Sequence, residues 1–183
     1  MLAANKSGLD FQKIINVISK IKPVEGRLQK IGNIRNNSKV ILDYAHTPAA
    51  LELALLNLKE QFPFSKINLV FGCGGNRDLE KRSIMGKIAE KYSDRIYLTD
   101  DNPRNESPTK IRSEILSECP NAIEIPDRAT AILTAINDVV QGDVLLIAGK
   151  GHETGQIVGD DILPFNDSEF VSMSLALLEG KKT

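Results

Sequence analysis

Five short apolar runs punctuate the chain from residue 40 onward: Val40–Leu42, Ile67–Phe71, Ile96–Leu98, Ala122–Ile125 and Val144–Ala148. Each is short enough for a buried strand. Amphipathic stretches with helix-start signals lie between them. Thr47-Pro48 opens one, followed by Leu51, Leu55 and Leu58. Ser107-Pro108 opens another with Ile111 and Ile115 inward, and Asp127 caps a third with Ile132, Leu133 and Ile136 inward. In each case a side-chain oxygen can accept from the unbonded N–H groups of the first turn. Ile84, Met85, Ile88, Ala89 and Tyr92 mark a fourth helix, and about Asp167 to Leu178 a last one. Alternating strands and helices predict an α/β fold: a Rossmann-like, mostly parallel sheet with helices on both faces.

The start of the chain has another rhythm. Phe11, Ile14, Ile15, Ile18 and Ile21 recur at helical spacing behind Asp10 as a cap, and Pro23 breaks the pattern. Residues 22–26 read as a linker. The expected division is a packing helix in residues 1–22 and the α/β domain in residues 23–183.

With 183 residues, 42% of them hydrophobic and 26% charged, the chain suits one ordinary globular domain. A net charge of −1 gives no electrostatic case for nucleic acid or a membrane surface. The apolar runs are too short to span a bilayer. Cys73 and Cys119 have no metal or redox spacing and suit a reducing compartment, so a cytoplasmic domain is expected. Two histidines, His46 and His152, with no carboxylate-rich spacing, predict no metal site.

The unusual polar residues follow the strands. Asp43-Tyr44-Ala45-His46-Thr47-Pro48, Gly72 to Asp78, Asp100 to Arg104 and Gly149-Lys150-Gly151-His152-Glu153 each continue a strand beyond its carboxyl end. In an open parallel sheet those ends gather along one edge, where ligands bind. Arg77 and Arg104 can each grip a carboxylate with two parallel bonds. Asp101 and Glu153 can accept from an ammonium, and Asn102 can do both. Guanidinium and carboxylate together suit a zwitterion, such as the end of an amino acid. Glycines 72, 74, 75, 149 and 151 are expected to let a ligand approach the backbone. Duller readings stand beside these. Arg77 and Asp78 can form a loop salt bridge, Lys81-Arg82 reads as a solvated helix start, and Cys73 as a structural thiol.

At these loops the sequence resembles the Mur ligase family, and within it the diaminopimelate-adding branch. The matching segments are Pro-Val-Glu-Gly-Arg (23–27), Asp-Tyr-Ala-His-Thr-Pro (43–48), Phe-Gly-Cys-Gly-Gly-Asn-Arg-Asp (71–78), Asp-Asn-Pro-Arg (101–104), Asp-Arg-Ala (127–129) and Ala-Gly-Lys-Gly-His-Glu (148–153), in the family's order. The resemblance implies the C-terminal domain of an ATP-dependent amide ligase. Such a ligase joins meso-diaminopimelate to UDP-MurNAc-L-Ala-D-Glu through an acyl phosphate, for peptidoglycan. It implies that Arg77, Asp101, Asn102, Pro103, Arg104, Gly149 and Glu153 contact diaminopimelate. Arg27, Asp43 and His46 would reach the nucleotide, with Asp43 on a ribose hydroxyl. ATP and Mg2+ would be bound mainly by a central domain, of which residues 1–22 would be the last helix. Asn76 departs from the Asp expected there, and no Gly-x-x-x-x-Gly-Lys-Ser/Thr loop occurs in the chain. The fragment is therefore expected to be inactive alone.

A stand-alone binding module for an amino acid or nucleotide is the alternative. A Rossmann oxidoreductase is disfavoured, because Asp43-Tyr44-Ala45-His46 stands where Gly-x-Gly-x-x-Gly would follow the first strand.

Overall fold

The computed structural model describes residues 6–18, 20, 24–34, 37–178 and 180. In chain order its elements are α1 (Phe11–Ile18), β1 (Gln29–Ile34), β2 (Ser38–Asp43), α2 (Pro48–Gln61), β3 (Ile67–Phe71), α3 (Glu80–Tyr92) and β4 (Arg95–Leu98). Then come α4 (Pro108–Leu116), β5 (Ile123–Glu124), α5 (Arg128–Asp138), β6 (Val144–Ala148), β7 (Gly155–Val158), β8 (Asp161–Pro164) and α6 (Asp167–Leu178). The three expected caps form: the side chains of Thr47, Ser107 and Asp127 accept from the backbone N–H groups of Ala50, Lys110 and Thr130.

Six strands make one sheet in the order β1-β2-β6-β3-β4-β5, with β1 antiparallel and the others parallel. The chain steps from β2 past β6 to β3, then to β4 and β5, and returns to β6. Right-handed crossovers put the outward-going helices on one face and the returning helix on the other. The packing follows this rule. Ile41, Leu69, Phe71, Leu98 and Leu146 meet Leu51, Leu55, Met85, Ile111 and Ile115 of α2, α3 and α4. Val40, Leu42, Val70, Tyr97, Leu145 and Ile147 meet Ala131, Ile132, Ala135 and Ile136 of α5 and Val171 of α6. Successive residues of each central strand thus serve opposite cores, which explains why those strands are apolar almost throughout, the buried Asn68 of β3 being the exception.

Several expectations need correction. Leu133 is 39% exposed, and Ala131 and Ala135 take the inward positions beside Ile132 and Ile136. The run Ala122–Ile125 shrinks to the two exposed residues of β5, because an edge strand is covered less than a central one. Lys81 and Arg82 are buried rather than solvated. Two elements had no sequence signal: the edge strand β1, and the antiparallel hairpin β7–β8. Asp10 does cap α1, accepting from Lys13 N–H at 3.0 Å, but Phe11, Ile15 and Val17 are exposed. Ile21, Lys22 and Pro23, where a helix end, a linker and a break were expected, lie outside the described residues.

The most buried ion pair ties the returning layer together. Arg128 and Asp167, both fully buried, meet through Nε–Oδ1 at 2.8 Å and Nη2–Oδ2 at 2.7 Å. Nη2 also donates to the carbonyl of Ala148 at 3.1 Å, the last residue of β6. Losing one partner of such a pair strands a buried charge and costs about 3–5 kcal/mol. Arg128→Met is therefore expected to lower the urea midpoint by that equivalent, and Arg128→Met with Asp167→Leu to regain part of it. A single variant with the parent's midpoint would show that the pair does not hold the layer.

Candidate functional site

Loops from the carboxyl ends of four parallel strands surround a cavity of about 490 Å³. Its walls include Tyr44, His46, Thr47 and Pro48 after β2, Gly72, Gly74, Arg77, Asp78 and Lys81 after β3, Asp101, Asn102 and Arg104 after β4, and Gly149 and Glu153 after β6. The crevice opens where β3 feeds a helix on one face and β6 leads to α6 on the other, the switch point of a doubly wound sheet. Three lining cations, Arg77, Lys81 and Arg104, face three lining anions, Asp78, Asp101 and Glu153. A wall balanced in this way matches a molecule carrying charges of both signs.

The loops are stitched to one another. Gly75 N–H donates to Asn102 O at 2.9 Å, and Arg104 Nη1 donates to Gly75 O at 2.9 Å. Asn76 N–H donates to Glu106, whose other oxygen pairs with Arg82 at 2.9 Å. Arg82 also pairs with Glu114 at 2.7 Å and reaches Gly74 O at 3.5 Å. A Cβ on Gly72 would stand 2.1 Å from Thr99 O, and one on Gly75 would stand 2.0 Å from Pro103 O. These glycines were expected to admit a ligand; what they admit is the neighbouring loop. Asn76 sits at φ +51°, in the left-handed region that asparagine tolerates.

The structure separates the expected site residues. Arg77, Asp101, Asn102, Arg104, Gly149, Glu153 and His46 all line the cavity. Pro103 is buried behind it, against Gly75. Asp78 spends an oxygen on Glu80 N–H at 3.0 Å, and the exposed Arg77 has no acidic partner among the described residues. Bracing of Arg104 by Asp100 or Glu106 does not occur, because Arg112 holds Asp100 and Arg82 holds Glu106. Arg104 instead spends Nη1 on two loop carbonyls, and Nη2 bonds to nothing among the described residues.

Arg27 stacks its guanidinium 4.8 Å from the centre of the Tyr44 ring, away from the cavity wall. His46 and His152 flank the same ring at 4.5 and 5.3 Å. His46 Nδ1 lies 2.9 Å from the carbonyl of Tyr44, which can only accept, so Nδ1 carries the proton and Nε2 is left outward. Asp43 is 8% exposed; its two oxygens accept from Leu28 N–H at 2.7 Å and Ala45 N–H at 2.8 Å. Those bonds make it a brace between the strand end and the Arg27 loop.

Sequence reasoning missed two lysines. Lys81 lines the cavity and donates to His46 O at 3.1 Å. Lys150 is fully buried and donates to Asn102 Oδ1 at 2.9 Å and Gly155 O at 2.7 Å. A side chain whose acceptor is distant in sequence leaves no local trace; the available signal was that each lysine adjoins a loop already marked by unusual residues.

Fold and site define an α/β domain with a crevice of balanced charge at its switch point. The chain belongs to the Mur ligase family: residues 26–151 match the family model described as "Mur ligase, glutamate ligase domain". It is 50% identical over 183 residues to the UDP-N-acetylmuramoyl-L-alanyl-D-glutamate--2,6-diaminopimelate ligase of Rickettsia felis, covering 98% of this chain and 34% of that protein. The enzyme of the same name from Agrobacterium fabrum is 45% identical over 179 residues, covering 98% and 36%. A solved structure under that name superposes with a TM-score of 0.79 at 34% identity, over 97% of this chain and 37% of that one. The chain thus spans about a third of the length of these relatives.

The thiols have a testable state. Burial pushes Cys73 up to about 12, with Lys81 opposing, and burial pushes Cys119 up to about 11. A thiol is neutral below its pKa, and only the thiolate attacks. At pH 8 roughly one Cys73 in ten thousand is therefore ionised. Ellman's reagent at pH 8 should label neither cysteine in the folded chain and both in concentrated urea. Rapid labelling of the folded chain would show an accessible, ionised thiol.

Proposed function

We propose that this chain is the amino-acid-recognising part of an ATP-dependent ligase that adds meso-diaminopimelate to UDP-MurNAc-L-Ala-D-Glu. The balanced set of three cations and three anions at the carboxyl edge carries the reading. The curated relatives' names give its chemistry. The incoming amino acid has two ammonium and two carboxylate groups, and the wall offers partners for both kinds. Arg77 and Arg104 take carboxylate, while Asp101 and Glu153 take ammonium, with Asn102 between them. Gly149 lets the loop pass close to Asp101, since a Cβ there would stand 2.7 Å from Asp101 Oδ2. Binding here orients the nucleophilic amine and excludes the water that would compete with it.

Arg27, Tyr44 and His46 form an aromatic and basic rim suited to a nucleotide brought against it. Asp43 supports that rim through the backbone of Leu28 and Ala45. ATP would supply the activation of the acceptor carboxylate as an acyl phosphate. Mg2+ would travel with the nucleotide, bound mainly through its phosphates and the remainder of the ligase. A cytoplasmic setting goes with this reading, since ATP is made there and both thiols are unpaired.

Two measurements test the reading. Diaminopimelate titrated into the 183-residue chain should bind on the order of a hundredfold tighter than lysine, because lysine leaves a guanidinium facing a bare methylene end. Arg104→Ala should abolish that preference while the melting temperature falls by no more than about 2–4 °C. Equal affinity of the parent chain for both amino acids, or a large loss of stability with the preference intact, would sink the assignment. Separately, the chain mixed with ATP, magnesium and diaminopimelate should release no phosphate above a buffer control. It has no phosphate-binding Gly-x-x-x-x-Gly-Lys-Ser/Thr loop among its 183 residues.

A further inference from the structure

Lys150 is fully buried beside the site, and the recognition of charge just described does not use it. Its side chain is fully buried, while the flanking Gly149 lines the cavity. Its ammonium donates to Asn102 Oδ1 at 2.9 Å and to Gly155 O, at the start of β7, at 2.7 Å, and it lies 3.6 Å from Glu153 Oε2. Asn102 Oδ1 accepts a second bond from Ile157 N–H at 3.0 Å, and Asn102 Nδ2 donates to Glu153 Oε2 at 2.9 Å. An amide can rotate by half a turn and exchange its oxygen and nitrogen at little cost unless its surroundings choose. Here two donors converge on the oxygen, so the NH2 group must face Glu153.

We propose that Lys150 is a positioning residue for the amino-acid site. Its ammonium locks the Asn102 amide in one orientation and so fixes which atoms Asn102 and Glu153 turn toward the ligand. With Oδ1 doubly occupied and one Nδ2 hydrogen spent on Glu153, Asn102 keeps a single free group for the cavity, its second N–H. The site therefore meets the ligand at Asn102 with a donor, which selects a carboxylate or carbonyl oxygen there. Glu153, with Oε2 engaged, keeps Oε1 for an ammonium. Without the ammonium Oδ1 keeps only the Ile157 N–H, and the amide is held in this orientation less firmly.

Burial lowers the Lys150 pKa, opposed by Asp101 and Glu153, while Arg128 behind the loop lowers it further and Asp167 raises it. Lys150 thus stands as a buried cation close to two carboxylates of the cavity wall, Asp101 and Glu153.

The proposal rests on the amino-acid reading only for its effect on binding; the locked amide stands without it. The test uses the 15N-labelled chain and its Lys150→Met variant. In the parent, the Lys150 Nζ protons and the Asn102 Nδ2 protons should exchange slowly, and the two Asn102 protons should differ in shift. In Lys150→Met, the Asn102 protons should exchange faster and their shifts should converge. The diaminopimelate dissociation constant should rise roughly tenfold or more, the equivalent of losing a charged hydrogen bond. Unchanged Asn102 resonances in a folded Lys150→Met chain would overturn the proposal. If that variant does not fold, the parent decides alone, since Lys150 protons exchanging as fast as those of exposed lysines refute it. A parent with the locked amide but no diaminopimelate binding would leave the positioning role in place and remove the amino-acid reading.

Discussion

The buried pairing of Arg128 with Asp167 sets the rest of the site in place. It joins the first turn of α5 to the first turn of α6 and reaches the carbonyl that ends β6. Everything after that carbonyl is loop, and the loop carries Gly149, Lys150 and Glu153. A charged pair with no exposure is costly to form and more costly to break, so the mouth of β6 has few alternative positions. The hairpin β7–β8 then returns to the β4 loop, where Arg104 N–H donates to Ile157 O at 3.0 Å and Arg104 O accepts from Gly159 N–H at 2.8 Å. The β4 and β6 loops are therefore one mechanical unit.

Across the crevice, the β3 loop is held to the β4 loop by a second set of bonds that converges on Glu106 and Arg82. The two assemblies share Asn102, whose backbone carbonyl takes Gly75 N–H while its side chain takes Lys150. Charge is distributed in the same way. Cations and anions at the wall are matched in number, and each buried cation behind the wall has its own acid or carbonyl. A ligand entering such a site needs few side chains to move, so the ordering cost of binding is small.

Much of this was legible in the sequence. Largely apolar runs mark β2, β3, β4 and β6 because each is buried on both faces, and Thr47, Ser107 and Asp127 mark helix starts because capping is local chemistry. The convergence of four loops follows from parallel topology alone. Where partners are distant, the sequence was silent. β1 has the pattern Gln-Lys-Ile-Gly-Asn-Ile, broken by a register shift between Lys30 and Gly32, and as an edge strand it is half covered. Lys81 and Arg82 read as solvated charges, yet Arg82 meets its acids 24 and 32 residues away, and Arg128 meets its own at 39. The bond from Leu28 N–H to Asp43 depends on the return of residues 26–28, which no local pattern shows. The glycines signalled close approach correctly, but could not say that another loop was the visitor.

Arg104 occupies its place at φ +51°, in the left-handed region where a side chain costs on the order of 1–2 kcal/mol relative to glycine. Its neighbours impose that conformation, for both its N–H and its C=O are spent on the hairpin. Glycine would relax the backbone and make a sturdier domain, at the loss of the guanidinium that faces the cavity. Under the proposed role of Arg104, selection for robustness and selection for discrimination pull in opposite directions at this one position. A screen of this domain for heat tolerance alone would then drift toward variants that stand up well and have lost that guanidinium.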